Sequence, residues 1–179
     1  MSRIRTAMVL AAGLGTRMRP LTDTTPKALV TLAGKPLIDH VLDRLVAAGI
    51  ETAVVNVHHF ADQMEAHLAT RKDIEIRISD ECAALLDSGG GIKHARPLLG
   101  DDPVMIANID SLWIEGETPP LESLKAAWDP ELMDLCLLLV RRGHGIGFEG
   151  PQGFFRDDAG RLVHSAKPEP PTPYANVGF

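Results

Sequence analysis

The chain has 179 residues, 45% of them hydrophobic and 23% charged, and carries a formal net charge of −6. That length supports one sizeable core, and the composition is that of a globular protein, which excludes a chain disordered by default. An acidic balance supplies no overall field that would draw in nucleic acid or an anionic membrane, so any bound phosphate must be met by local cations and backbone.

Residues 7–12 form a short apolar run ended by Gly13. The run suits a central parallel strand buried on both faces and is too short to serve as a signal peptide. Leu37, Ile38, Val41, Leu42, Leu45 and Val46 recur at helical spacing, with Gly49 where a C-cap would stand. Residues 53–57 predict a second strand, residues 61–68 a helix, and residues 74–78, which alternate apolar and charged, a strand with one exposed face. Gly91 opens a helix that runs to residue 98, and residues 104–107 read as another buried strand. Residues 121–128 follow Pro119 and Pro120 as a helix, and residues 135–140 are apolar and strand-like. Residues 154–156 and 162–164 flank Asp157-Asp158-Ala159-Gly160, the composition of a hairpin turn.

This alternation predicts an α/β fold: a doubly wound, mostly parallel sheet with helices on both faces, plus a small β-hairpin. Ligands in such folds bind beyond the carboxyl ends of the strands. Cys82 and Cys136 are far apart and form no metal or disulfide pattern, and two free thiols fit a cytoplasmic protein. No stretch approaches the roughly 20 apolar residues of a membrane span. His58 and His59 are neighbours on a strand end, where their side chains point to opposite faces and do not readily share an ion.

The most informative stretch is Leu10-Ala11-Ala12-Gly13-Leu14-Gly15-Thr16-Arg17-Met18. A buried strand runs into small residues that admit a bulky ligand, and successive backbone N–H groups in such a loop form an anion nest. Arg17 adds a planar fork suited to phosphate oxygens. The loop lacks the Gly-Lys-Ser/Thr of a Walker A motif, and Met18 stands where a dinucleotide fingerprint has its third glycine. Thr25-Pro26-Lys27-Ala28-Leu29 and Ala33-Gly34-Lys35-Pro36-Leu37-Ile38 follow.

These three pieces resemble, in order, the motifs of the sugar-1-phosphate nucleotidyltransferases. The resemblance implies a Rossmann-like nucleotidyltransferase fold in which Leu10, Ala11, Ala12 and Gly13 face the nucleoside. Gly15, Thr16 and Arg17 would hold the triphosphate, and Lys27 would stabilise charge in the transition state. Asp87-Ser88-Gly89-Gly90-Gly91-Ile92 is similar to the Glu-Thr-Gly-Gly-Gly-Ile of the bacterial group that uridylylates N-acetylmuramate 1-phosphate. It places Ser88 and Gly89 on the nucleotide and Gly90 on the sugar phosphate, with Glu81 upstream as a base contact.

Residues 104–110 read as a buried strand ending in a carboxylate, which suits Mg²⁺, a hard ion that prefers oxygen donors; the resemblance implies Asp110 as its ligand and Asn108 on the sugar phosphate. Ile109 stands where the family usually has glycine. Ser165-Ala166-Lys167-Pro168 resembles the family's Glu-Lys-Pro element with alanine for glutamate, and the resemblance implies Lys167 as a sugar-phosphate contact. Asn176-Val177-Gly178 resembles the strand that lines the sugar pocket through Asn176 and Gly178.

Residues 1–179 are thus expected to form a single nucleotidyltransferase domain without its C-terminal part, where the family carries a second metal aspartate. The expected partners are an NTP, UTP favoured, and a sugar 1-phosphate, with no nucleic acid and no membrane. Other pairs stay open: dTTP or GTP with a hexose 1-phosphate, CTP with phosphocholine, or a catalytically silent nucleotide-sugar sensor.

Overall fold

The computed structural model describes residues 4–141, 143–146, 153–165 and 173–178. They fall into two compact units, residues 1–126 and 127–179.

In the first unit, β1 (Thr6–Leu10) leads through a tight loop, with 3-10 turns at Thr16–Met18 and Lys27–Leu29, to a two-stranded ribbon of β2 (Thr31–Leu32) and β3 (Lys35–Pro36). There follow α1 (Leu37–Ala47), β4 (Thr52–Val57), α2 (Ala61–Leu68), β5 (Glu75–Asp80), α3 (Ser88–Leu99), β6 (Val104–Asn108) and α4 (Pro120–Ala127). The strands β1, β4, β5 and β6 form a parallel sheet in the order β5-β4-β1-β6.

Burial explains this arrangement. Met8 and Val54 pack with Ala95 and Leu99 of α3, flanked by Leu10, Ile92, Val104 and Ile106. On the opposite face Ala7, Val9, Ala53, Val55 and Ala107 are also fully buried. Both faces are therefore covered, as a central parallel sheet requires. The helix α3 covers the first of these faces, and right-handed crossovers, the rule for parallel strands, would carry α1 and α2 to the other.

The chain lays β4 and β5 outward on one side of β1, then returns to place β6 on the other side. The direction of winding reverses at β1, so the loops after β1 and β6 diverge and leave a crevice between them.

Local chemistry sets the boundaries. The helix α1 ends at Gly49, whose φ of +75° suits glycine, with Ile50 N–H returning to the Leu45 carbonyl. The helix α3 begins three residues before the glycine expected to open it. Asp87 supplies the reason: its Oδ1 accepts the Gly90 N–H at 2.7 Å, and this cap overrides the poor helix propensity of three glycines. In the loop after β1, Gly15 has φ +64°, and a Cβ there would lie 2.8 Å from Thr22 Cγ2 and 2.9 Å from Lys27 Cβ. Thr22 is buried, and its hydroxyl donates to the Gly15 carbonyl at 2.9 Å.

The second unit is an antiparallel sheet of β7 (Leu139–Arg141), β8 (Gly153–Arg156), β9 (Leu162–Ser165) and β10 (Tyr174–Asn176), in the order β7-β10-β8-β9. The hairpin predicted around Asp157 is present: Asp157 Oδ1 accepts the Arg161 N–H at 2.8 Å, and Gly160 takes a φ of +84°. The strand expected over residues 135–140 is shorter, beginning at Leu139, and it pairs antiparallel with β10. Leu135 is exposed, so the apolar run before it does not mark a buried strand. Lys167 lies outside the described residues.

An ionic clamp ties α1 to the end of α2. Arg71 donates to Asp39, Asp43 and Asp73, and Lys35 also pairs with Asp43. Burial raises the Asp43 carboxyl, but hydrogen bonds from Lys35 and Arg71 outweigh it and hold the group below the usual carboxylate range. The Arg71 hydrogen bond lowers Asp73 likewise.

Two outcomes are expected. A carboxylate depressed in the folded state stabilises above its unfolded value and loses that effect as pH falls through its folded value. Unfolding titrations between roughly pH 5 and pH 3 should therefore show a shallower loss of stability in Asp43→Asn than in the wild type. Gly15→Ala should lower stability by about 2 kcal/mol or more, because it combines left-handed strain with overlap. An unchanged urea midpoint would contradict that account of the loop.

Candidate active site

The crevice is a cleft of about 360 Å³ in the first unit. Residues 10–13 beyond β1 form one wall and residues 85–88 at the start of α3 another. Residues 108–110 beyond β6, with Lys27 and Asn56, complete the lining. Segments separated by up to a hundred residues therefore meet at the carboxyl ends of three parallel strands.

The wall beyond β1 is held from below. Asn56, on β4, is buried, and its Oδ1 accepts N–H groups from Ala11 at 2.6 Å and Ala12 at 3.2 Å. Its Nδ2 donates to Glu81 Oε1 at 2.8 Å, while Glu81 Oε2 accepts the Leu86 N–H at 3.3 Å. The Glu81 carbonyl takes His58 Nδ1 at 2.7 Å. Two amides of the expected anion nest are thus engaged inside the protein. Ala11 and Ala12 offer a ligand their small size, and donors must come from elsewhere along the loop.

Glu81 is 2% exposed and does not line the cleft. Its carboxylate lies beneath the walls and braces them. A Cβ on residue 91 would fall 2.7 Å from Glu81 Oε1 and 3.2 Å from Asn56 Nδ2, so the third glycine of the run is required by close packing. Asn56 is the functional residue that the motifs do not mark, and Gly91, expected to open α3, owes its place to this packing. The available signal was a polar residue inside the apolar strand Ala53-Val54-Val55-Asn56-Val57.

Lys27 stands on its 3-10 turn behind Pro26, with its stem packed against Gly15. Its Nζ forms an ion pair with Asp110, 83 residues further along. The lysine side chain is 17% exposed and the aspartate 45%, so the pair faces the cleft while its stem is anchored. Ile109 is 3% exposed and forms part of the cleft floor, where glycine was the usual residue.

Leu10, Ala11, Ala12, Gly13, Lys27, Ser88, Asn108 and Asp110 all line the cleft. Gly15, Thr16, Arg17, Gly89 and Gly90 do not line it. The first three continue the loop beyond β1, where Arg17 is exposed, and the two glycines form the first turn of α3. Asn176 and Gly178 belong to the second unit, where the Gly178 N–H donates to Asn176 Oδ1 at 3.1 Å.

Neither cysteine is prepared as a nucleophile. The Cys82 N–H bonds Asp80 at 2.7 Å, and the neighbouring carboxylate pushes the thiol up, while burial raises Cys136. Neither thiol has the lowered value of a nucleophile. Among the described residues no three His, Cys, Asp or Glu side chains cluster to hold a metal, and no helix is long and apolar enough to cross a membrane.

Comparison with known proteins agrees with this geometry. A family model described as Nucleotidyl transferase matches residues 6–117. The chain is 54% identical to an N-acetylmuramate alpha-1-phosphate uridylyltransferase of Caulobacter vibrioides, over 91% of this chain and 75% of that protein. It is 48% identical to the Neisseria meningitidis protein of the same name, over 59% of this chain and 47% of that one. The inositol-1-phosphate CTP transferase of T. maritima shares the fold with a TM-score of 0.74 at 19% identity, over 99% of this chain and 70% of that one. The chain belongs to the nucleotidyl transferase family, among the enzymes that act on sugar 1-phosphates.

Proposed function

We propose that this enzyme transfers a uridylyl group from UTP to N-acetylmuramate 1-phosphate in the cytoplasm. The observation that carries the reading is the meeting of Lys27 and Asp110 in one cleft at the winding reversal. The choice of UTP and of this sugar is supported by the similarity to the two relatives named for that reaction.

In this reading an oxygen of the sugar phosphate attacks the α-phosphorus of UTP. The bond from that phosphorus to the bridging oxygen breaks, and pyrophosphate leaves with the electron pair. Positioning and charge neutralisation are the main catalytic levers for such a transfer.

Residues 10–13 shape the nucleoside side of the cleft, where the small Ala11, Ala12 and Gly13 allow close approach. Ser88 and Gly89 close over the nucleotide from α3, and Gly15 and Thr16 follow the triphosphate. Lys27 neutralises the α-phosphate, and Arg17, exposed on the outer part of the loop, meets the departing pyrophosphate. Gly90 and Asn108 take the sugar phosphate.

Asp110 suits Mg²⁺: it is a partly exposed hard-oxygen donor in the cleft, and Mg²⁺ is commonly held by one or two carboxylates together with substrate phosphates and water. The ion would supply charge neutralisation at the phosphates. Lys27, whose stem is anchored and whose ammonium faces the same cleft, would be left to pair with the nucleotide's phosphates.

The test is pyrophosphate release by the purified chain with Mg²⁺, N-acetylmuramate 1-phosphate and each NTP in turn. Release with UTP above the others is expected. No release in the UTP reaction, with release in a different NTP or acceptor reaction, assigns the site to that pair. Lys27→Ala should lower kcat by about 10²–10³, the usual cost of removing one preorganised charge contact. Turnover at the wild-type rate in that variant sinks the role given to Lys27.

A further inference from the structure

We infer that Glu81 is a positioning residue for the nucleotide cleft, acting through Asn56 and never touching the ligand. This deepens the nucleotidyltransferase reading and rests on it.

The pair forms a chain of four hydrogen bonds with a fixed polarity. Ala11 and Ala12 donate to Asn56 Oδ1, which leaves Asn56 Nδ2 to donate to Glu81 Oε1. Glu81 Oε2 then accepts from Leu86 N–H on the opposite wall. One buried carboxylate therefore decides which way the Asn56 amide faces, and the amide decides where the backbone of residues 11–12 lies. The same carboxylate holds residue 86, beside the start of α3. Both walls of the cleft refer back to a single group.

Other contacts confine that group. Its own N–H donates to the Val57 carbonyl, and its carbonyl accepts Ala84 N–H and His58 Nδ1. The missing side chain at Gly91 gives its oxygen the room it occupies beside α3, room that any Cβ would take away. A network with two walls attached and no slack transmits a change at its centre to both ends.

Polarity makes the idea testable, because it can be reversed without changing size. In Glu81→Gln the new amide nitrogen faces either Asn56 Nδ2 or Leu86 N–H, a donor against a donor. Turning Asn56 over moves the conflict to Ala11 and Ala12. Adding Asn56→Asp removes it. The aspartate accepts from Ala11, Ala12 and the glutamine amide, while the glutamine oxygen accepts from Leu86. Volume and total charge are those of the wild type.

UTP affinity with Mg²⁺ is measured for the full-length wild type, E81Q, and the double variant N56D/E81Q. E81Q should bind about tenfold or more weakly, and the double variant should return to within about threefold of wild type. Amide exchange supplies a readout that needs no nucleotide. Ala11, Ala12 and Leu86 should exchange slowly in the wild type and faster in E81Q, with Met8 and Val54 still protected in the strands. A loss of general stability would expose all of them alike.

UTP binding at wild-type strength in E81Q overturns the inference, as does a folded double variant as weak as E81Q. If E81Q does not fold, the double variant decides by the same affinity criterion. Rapid exchange of Ala11 and Ala12 in the wild type also overturns it. A wild type that exchanges slowly at these amides yet binds no UTP leaves the bracing intact and rejects the nucleotide reading instead.

Discussion

Asn56 occupies a strand whose other residues are buried, and a primary amide there must find its partners inside the protein. It finds them on two segments that the sheet brings to either side of it: the loop beyond β1 and the carboxylate of Glu81, just past β5. The arrangement is costly if half satisfied and stiff if complete. The rest of the cleft depends on it. The small residues at 11 and 12 can offer close approach only if their backbone is held, and the run of glycines can begin a helix beside them only if Gly91 lets the carboxylate pass.

A second long-range pair, Lys27 with Asp110, works differently. Both groups reach the cleft, and one is nearly half exposed, so their mutual attraction is weakened by solvent. Such a pair is easily exchanged for stronger partners, which suits a site that takes a polyanion. The buried pair holds the walls, and the exposed pair is available for exchange. Burial alone separates these roles: both contain a carboxylate, and each draws its partner from a different strand end or loop.

Much of the fold was legible because its elements are short and apolar and its stops are chemical. Residues 61–68 form the helix expected, and Gly49 ends α1 as expected. The helix α3 begins earlier than glycine propensity implies because the Asp87 side chain caps its first turn. The strand at residues 135–140 was overdrawn because an apolar run without alternation carries no information about its partner. In the site, motif residues at strand ends were legible since the fold brings strand ends together. Asn56 was not, since its role depends on pairing with residues 45 and 25 positions away. Glu81 was legible as important but not as buried: a carboxylate between two loops looks the same in sequence whether it faces a ligand or the protein.

The acidic net charge of the chain also finds its place. A phosphate site in a protein of charge −6 cannot rely on the summed field, which is repulsive to a triphosphate. The cleft answers locally, with Lys27 inside it and Arg17 exposed on the loop beyond β1, while other basic residues are tied elsewhere: Arg71 and Lys35 to the clamp on α1, Arg44 to Glu115. Asp110 cancels the Lys27 charge when no ligand is present. Asp87 lines the cleft as well, so its own carboxylates outnumber Lys27, and a cation held by them would turn the local charge toward that of an anion site.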